Sequence, residues 1–310
     1  MGTTWRATLV DPPTASGLLL REVQETLNRV DRLMSTYQAD SELSVFNRSQ
    51  STGPQRLSAE TLQVVAESLR LAKLTGGALD PTVLPLVNLW GFGPAGLRAG
   101  IPSQADVDLA LSKTGWRRLG LDAVAGTLAK HDPALQLDLS AVAKGYGVDA
   151  VCDRLLELGC SQIFVEVGGE VRAVGANANG DPWRVGIDKP SLRAAPGQAM
   201  QQVVELTDLA MATSGDYRNF REFDGRRYSH TIDPATGRPV THGLASVSVL
   251  APSCMTADAL ATAISVLGPE KGWELVQGMQ GVEVLIVSRL PDGKLQERIT
   301  DGFRALLAER

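Results

Sequence analysis

The sequence predicts an α+β fold, mostly antiparallel sheets flanked by helices in one compact unit over residues 1–310, and not a Rossmann fold. Three observations predict it. Strand-like and helix-like segments do not alternate one for one. Several strand-like segments are separated by turns too short to hold a crossover helix. No tandem repeat, low-complexity tract or long polar linker divides the chain.

Taken in order, Trp5–Val10 alternates in character, as a half-buried strand does. Leu19, Val23, Leu27, Val30 and Met34 recur at three- and four-residue steps, the stripe of an amphipathic helix that stops near MSTYQADSELSVFN. Ser58 is placed to N-cap a second helix, which runs to the Gly76-Gly77 stop. In ALDPTVLPLVNLWGFGP, three prolines and two glycines break helical continuity. A loop this apolar, carrying Trp90 and Phe92, is expected to lie under other chain or to line a pocket. Ser103-x-x-Asp106 forms a capping box for a short helix ending at Gly115. Residues 118–139 read as strands broken at Gly126 and Asp132-Pro133, and LQLDL is the last of them. A helix over 141–158 ends at Gly159, and the strand Ile163–Val167 leads into Gly168-Gly169. Alternating segments follow around Val171, Trp183–Ile187, Val203–Leu206 and Ala245–Leu250. A helix over 256–267 is closed by Gly268-Pro269, where a further one begins. VEVLIVSR and LQERI, joined by Pro291-Asp292-Gly293, make a hairpin.

Composition excludes several function classes. With 44% apolar and 21% charged residues the chain has the make-up of an ordinary globular protein. A net charge of −5 argues against a nucleic-acid surface, which needs a basic footprint. No Lys/Arg cluster is dense enough for an anionic membrane, and no run approaches the ~18 apolar residues of a membrane span. The first residues, MGTTWRATLV, lack the charged and apolar regions of a signal peptide. The three cysteines form no C-x-x-C pair and read as small buried thiols.

Four stretches carry candidate chemistry. In DLSAVAKGYGVDAV, residues Gly145 to Ala150 fit the dinucleotide fingerprint G-x-G-x-x-A, with Glu166 about 20 residues on. The fingerprint requires its first glycine in the turn directly after a strand. Here Ser140 to Lys144 intervene, so the glycines fall inside a helix, where glycine usually marks close backbone packing. What remains is a helix N-terminus whose free N–H groups can bind phosphate, with Lys144 in the first turn. Asp138 either accepts hydrogen bonds from a ring or sugar or caps its own loop. Asp258 and Thr262, four apart on one helical face, are an all-oxygen pair suited to Mg²⁺ or, equally, a dipole-stabilising acid and a back-bonding Thr. His230, before the turn in SHTIDPATGRPV, is the best general-base candidate of the three histidines or, equally, a histidine satisfied by its own hydrogen bonds. Thr213-Ser214-Gly215 reads as a turn that either holds a phosphate or is an ordinary turn.

These stretches, in this order, resemble the ApbE family of FAD:protein FMN transferases over residues 1 to about 290. The resemblance rests on Met1-Gly2-Thr3, MSTYQADSELSVFN, GGALDPTVLPLVNLWGFGP, LDLSAVAKGYGVD, VEVGGEVRAVG, ATSGDYRNF, SHTIDPATGRPV and TADALATA. It implies the α+β, T-fold-like architecture of that family and a Mg²⁺-dependent reaction with FAD as substrate. A Thr or Ser hydroxyl of an acceptor protein attacks the FMN-side phosphorus, AMP leaves, and FMN stays as a phosphoester. Splitting of FAD by water to FMN and AMP, or flavin binding without turnover, are the alternatives. By the same resemblance Asp258, Thr262 and the Ala141 carbonyl are the metal ligands. Met34, Ala78, Leu79, Asp80, Asp138, Lys144 and Ile232 match FAD-contacting positions, Gly168, Gly169, Glu170, Ser214 and Gly215 are pocket walls, and His230 is the base.

Two departures from the family pattern stand out. Position 261 is Ala where some relatives have a further acid, and position 170 is Glu where Asp is commoner. The chain contains no D-x-x-[ST]-G-A-[ST] acceptor site of its own, so the partner implied is a separate protein carrying one. The resemblance also implies a periplasmic location or one on the outer face of the cytoplasmic membrane. The export signal and any lipid anchor would then be absent from this chain, and the cytoplasm is the alternative.

Overall fold

The computed structural model describes residues 2–96, 100–190, 200–215, 220–223 and 226–308. It falls into two compact units, each built from non-contiguous chain. The first comprises residues 1–28, 144–218 and 242–310, and the second comprises 29–143 and 219–241.

The first unit is organised on a seven-stranded sheet. Its spatial order is Trp5–Leu9, Ile163–Val167, Glu170–Val174, Leu209–Gly215, Leu244–Ala251, Glu283–Arg289 and Leu295–Ile299. Every neighbouring pair is antiparallel. All eight residues of Leu244–Ala251 are buried, the pattern of a central strand covered on both faces. Leu19, Val23 and Leu27 pack with Val148, Val151 and Leu155 of the Ser140–Glu157 helix and with Ile163, Val165 and Val167 of the sheet. A second cluster gathers Val171, Trp183, Val204, Leu285 and Phe303. The Cys254–Val276 helix breaks at Gly268, with φ 80° and ψ 177°, just before Pro269.

The second unit carries a three-stranded sheet, Gln55–Arg56, Thr127–Lys130 and Leu119–Asp122 in spatial order. The helices Glu42–Arg48, Ala59–Leu74, Leu84–Leu89 and Gln104–Leu111 belong to it. So do two short antiparallel pairs, Phe220–Phe223 with Arg226–Ser229 and Ile232–Asp233 with Arg238–Pro239. Leu86, Trp90, Val107, Ala110 and Ile232 form a core here. The caps at Ser58 and Ser103 form as expected: Ser58 accepts from the Thr61 N–H, and Ser103 and Asp106 complete a capping box.

Several expectations are corrected. The first helix ends at Met34 as expected, and beyond it lies a helix the sequence reading did not anticipate, capped by Ser41, which accepts from the Ser44 N–H at 3.0 Å. ALDPTVLPLVNLWGFGP contains the helix Leu84–Leu89, since Pro85 sits in its first turn, where proline costs no hydrogen bond. Among the described residues, LQLDL pairs with no strand. The Asn47 side chain supplies a substitute ladder, donating to the Leu137 carbonyl at 2.8 Å and accepting from the Leu137 N–H at 2.7 Å. Thr213, Ser214 and Gly215 form the end of a strand rather than a turn, because they pair with Ser248, Val247 and Ser246. Met1 and residues 216–219 of ATSGDYRNF lie outside the described residues.

Candidate functional site

In the first unit, three ionisable side chains from three elements converge. Lys144 lies in the Ser140–Glu157 helix, Asp258 in the Cys254–Val276 helix, and Glu170 opens the strand after the Gly168-Gly169 turn. The Lys144 ammonium stands 3.1 Å from Asp258 Oδ1 and 3.3 Å from Glu170 Oε1. The Gly145 N–H donates to Asp258 Oδ2 at 3.0 Å. Asp258 and Glu170 are buried, at 2% and 5% exposure, so their charges depend on these partners.

Burial by itself would lower the Lys144 pKa, but the Asp258 and Glu170 carboxylates outweigh it and the net shift is upward. Burial raises the Asp258 pKa, opposed by Lys144 and the Gly145 N–H. Glu170 is pushed up to about 7, by burial first and then by the neighbouring Asp258 charge, against the pull of Lys144. Among the described residues, Glu170 Oε2 is buried without a hydrogen-bond partner.

Local chain geometry builds this cluster. Gly168 and Gly169 take φ 64° and 106°, left-handed values that let two adjacent strands reverse with only these residues between Val167 and Glu170. Thr262 follows Asp258 by one helical turn and is half-buried. Ser214 and Gly215 stand half-buried at the end of their strand, where the neighbouring Thr213 hydroxyl meets that of Ser248 at 2.8 Å.

The second unit holds the other expected residues. Asp80 accepts from both the N–H and the hydroxyl of Thr82, at 2.8 and 2.6 Å, and from the Trp116 N–H at 3.2 Å. Burial raises its pKa against those bonds. Both Asp80 oxygens therefore serve the unit's own chain. Asp138 Oδ1 accepts from the Ser140 N–H at 2.9 Å, the capping role weighed from sequence, while its own N–H donates to the Pro81 carbonyl at 2.8 Å. Ala141 is half-buried in the first turn of its helix, next to the exposed Ser140. Met34 and Leu79 are buried at 4% and 5% exposure, and Ala78, half-buried, directly precedes Leu79.

His230 is half-buried, its ring meeting that of Phe92 edge-on at 6.4 Å between centroids. Arg221 lies over the other contact of that loop, 5.2 Å from the Phe92 ring, and donates to the Gly91 carbonyl. Trp90 donates to the Gly237 carbonyl at 2.8 Å and stacks on Tyr228 at 5.7 Å. The apolar loop thus does lie under other chain, beneath the segment that carries His230. Ile232 packs its side chain into the core with Leu86 and Val107, and its backbone pairs with Pro239.

The ApbE family profile matches residues 1–286. The chain is 44% identical to a Vibrio cholerae protein named FAD:protein FMN transferase, over 100% of this chain and 91% of that one.

The chain belongs to the ApbE family.

An Escherichia coli K12 protein of the same name is 43% identical over 94% of this chain and 83% of its own. Among solved structures, the flavin transferase ApbE from Vibrio cholerae superposes with a TM-score of 0.90 at 44% identity, covering 99% of this chain and 96% of that one. The apo form of the Pseudomonas stutzeri flavinyl transferase ApbE gives 0.88 at 40% identity, covering 99% and 94%. The α+β architecture with its large antiparallel sheet is the ApbE fold.

The donor chemistry of the ApbE chain suits a hard divalent cation. Asp258, Thr262 and the orphaned Glu170 Oε2 are all oxygen donors. Among the described residues no three His, Cys, Asp or Glu side chains converge as a complete cage. Mg²⁺ ordinarily takes one or two carboxylates and fills its remaining positions with water and substrate phosphate oxygens. Sequence reasoning missed two further groups, the Gly145 N–H that donates to Asp258 and the buried Asp149 that accepts from the N–H groups of Cys254 and Met255, because it treated that helix as packing beyond Lys144. The Gly145-x-x-x-Asp149 spacing, one helical turn, was the available signal.

Proposed function

We propose that this protein transfers FMN from FAD to a Thr or Ser hydroxyl of an acceptor protein, forming a phosphoester and releasing AMP, with Mg²⁺ as the metal. Membership of the ApbE family and the shared name of its relatives support flavin transfer. The observation that carries the diphosphate chemistry is the cluster in which one ammonium, Lys144, is held between two buried carboxylates, Asp258 and Glu170.

In this reading Asp258 and Thr262 hold the metal by their side chains, with the Ala141 carbonyl as a third ligand. By helix geometry the Gly145 N–H points toward the carbonyl four residues back, that of Ala141. Its bond to Asp258 draws donor capacity away from that carbonyl, which favours a ligand role. Mg²⁺, when bound, neutralises diphosphate charge and polarises the phosphorus under attack. Lys144 adds its ammonium to that neutralisation, and the first turn of its helix offers N–H groups to phosphate oxygens.

The transfer balances as an in-line displacement. The acceptor hydroxyl oxygen forms a bond to the FMN-side phosphorus, the bond from that phosphorus to the bridging oxygen breaks, and AMP leaves with that oxygen. His230 takes the hydroxyl proton on an imidazole nitrogen, the role its residue type fits best. Met34, Ala78, Leu79, Asp80, Asp138 and Ile232 are assigned to FAD contacts, Asp80 and Asp138 through backbone and residual acceptor capacity. Gly168, Gly169, Glu170, Ser214 and Gly215 are assigned to pocket walls. The chain acts as one flavin transferase domain, and the reaction takes place outside the cytoplasmic membrane.

The test is to incubate the protein with FAD, Mg²⁺ and a peptide containing D-x-x-[ST]-G-A-[ST], then to weigh the peptide. A gain of one FMN phosphoryl unit, lost when the acceptor Thr or Ser is replaced by Ala, is the expected result. AMP and free FMN with an unmodified peptide would replace transfer by hydrolysis, and no products at all would leave only binding.

A further inference from the structure

The helix that carries Asp258 and Thr262 begins in an unusual way. The first N–H groups of a helix have no partner inside it and need an outside acceptor. Here Cys254 and Met255 donate theirs to Asp149, at 3.0 and 2.9 Å, and the Ser253 hydroxyl donates to the same carboxylate at 2.8 Å. Asp149 stands in the Ser140–Glu157 helix, more than a hundred residues away in sequence and one turn beyond Gly145. The two helices touch closely there: a Cβ at Gly145 would lie 2.3 Å from the Cys254 carbonyl oxygen.

The contact is reciprocal. Asp149 of one helix accepts from the N-terminus of the other, and Asp258 of the second accepts from the Gly145 N–H of the first. Arg172 extends the clamp to the sheet, donating to Asp149 at 3.2 Å and to Asp153 at 2.9 Å. Arg172 follows Glu170 by two residues on one strand, so the two side chains point to the same face. Helix and strand are thus tied twice, by Lys144 to Glu170 and by Asp149 to Arg172.

We propose that Asp149 is a positioning residue for the metal: by capping the Cys254–Val276 helix from outside, it fixes where the Asp258 carboxylate and the Thr262 hydroxyl stand. This rests on the metal-ligand reading of Asp258. An Asn at 149 has nearly the same shape, but it removes the charge and turns one acceptor into a donor that faces N–H groups. The capping donors lose a partner and the helix start is free to shift.

The test uses the full chain and free Mn²⁺, read by electron paramagnetic resonance, as a probe of the metal site without turnover. Asp149→Asn is expected to keep its circular dichroism spectrum and to bind Mn²⁺ about tenfold more weakly, the usual scale for an outer-shell partner. In the transfer assay it should raise the Mg²⁺ concentration needed for half-maximal rate while saturating Mg²⁺ restores most of kcat. A cap with only a structural role would lower thermal stability and leave Mn²⁺ affinity of the folded protein unchanged, and that result would overturn the proposal. Should Asp149→Asn fail to fold, Ser253→Ala removes one donor to the same carboxylate together with the acceptor of the Thr256 N–H at the start of the same helix; weaker Mn²⁺ binding supports the proposal and unchanged binding overturns it. Asp258→Ala separates the two readings. If it binds Mn²⁺ as the parent does, the metal assignment is wrong and the inference goes with it. If it alone abolishes binding while the Asp149 and Ser253 variants bind normally, only the positioning role is refuted.

Discussion

The Gly145 N–H donates to Asp258 Oδ2 at 3.0 Å, at a point where a Cβ on Gly145 would meet the Cys254 carbonyl oxygen at 2.3 Å and Met255 Cα at 2.8 Å. Those neighbours are backbone and cannot swing aside. Gly145→Ala must therefore push the two helices apart, with an expected loss of about 1–3 kcal/mol. Denaturant unfolding measures it, and the displaced Asp258 should also weaken divalent-metal binding. A variant with unchanged midpoint and metal affinity would mean that the helices are not packed as described.

Glu170 makes stability depend on pH. Its folded pKa is raised to about 7, by burial first and by Asp258 next. Between the ordinary carboxylate range and about 7 the native state keeps a proton that the unfolded chain has released. Stability of the metal-free protein therefore falls as pH rises through that window. Urea midpoints at pH 5 and 7.5 should show the fall in the parent and a shallower one in Glu170→Gln.

Asp258→Ala should abolish turnover at every Mg²⁺ concentration, because it removes the metal's expected carboxylate and leaves Lys144 paired only with Glu170. AMP release followed over a Mg²⁺ titration checks this, and a parent-like rate would remove Asp258 from the reaction.

His230→Ala should slow transfer strongly and leave FAD affinity within a few-fold, by about the 10²–10⁴ that general-base catalysis supplies. Rates and FAD binding measured side by side decide it. Loss of binding in step with rate would make His230 part of the binding surface instead.

Lys130 has no exposure, and its ammonium is held by the carbonyls of Asn47, Pro133 and Leu135 at 3.0, 3.1 and 3.3 Å. Burial lowers its pKa, opposed by Asp132. Lys130→Met keeps the stem but strands those carbonyls, at an expected cost of about 1–3 kcal/mol. Thermal unfolding measures the loss; a variant more stable than the parent would show that desolvation of the ammonium outweighs its three bonds.

Where periodicity was strong, the sequence was legible. The stripe from Leu19 to Met34 is the helix Ser16–Met34, and Gly268-Pro269 marks the break in the Cys254–Val276 helix. The elements that escaped are those set by partners distant in sequence. Leu135 to Leu139 looks like a strand, yet Leu137 is satisfied by the Asn47 amide and the Asp138 N–H by the Pro81 carbonyl. Thr213 to Gly215 looks like a turn because it is small and polar, yet the buried strand Leu244–Ala251 recruits it into the sheet. At the site, residue types and spacing revealed Lys144 and Asp258 one by one, and the family resemblance added Glu170 as a pocket wall. Their meeting depends on a two-residue strand reversal and a helix contact through Gly145; the glycines mark a turn and a close-packing position, but not which element each one meets. Asp149 showed only its one-turn spacing from Gly145, since its partners begin a helix more than a hundred residues later.

The central claim is tested most directly by counting products in one reaction. Protein, FAD, Mg²⁺ and acceptor peptide should yield one AMP for each flavin covalently attached to the peptide, and neither product when the metal is chelated. Release of AMP in large excess over attached flavin, or flavin attachment that continues without the metal, would contradict it.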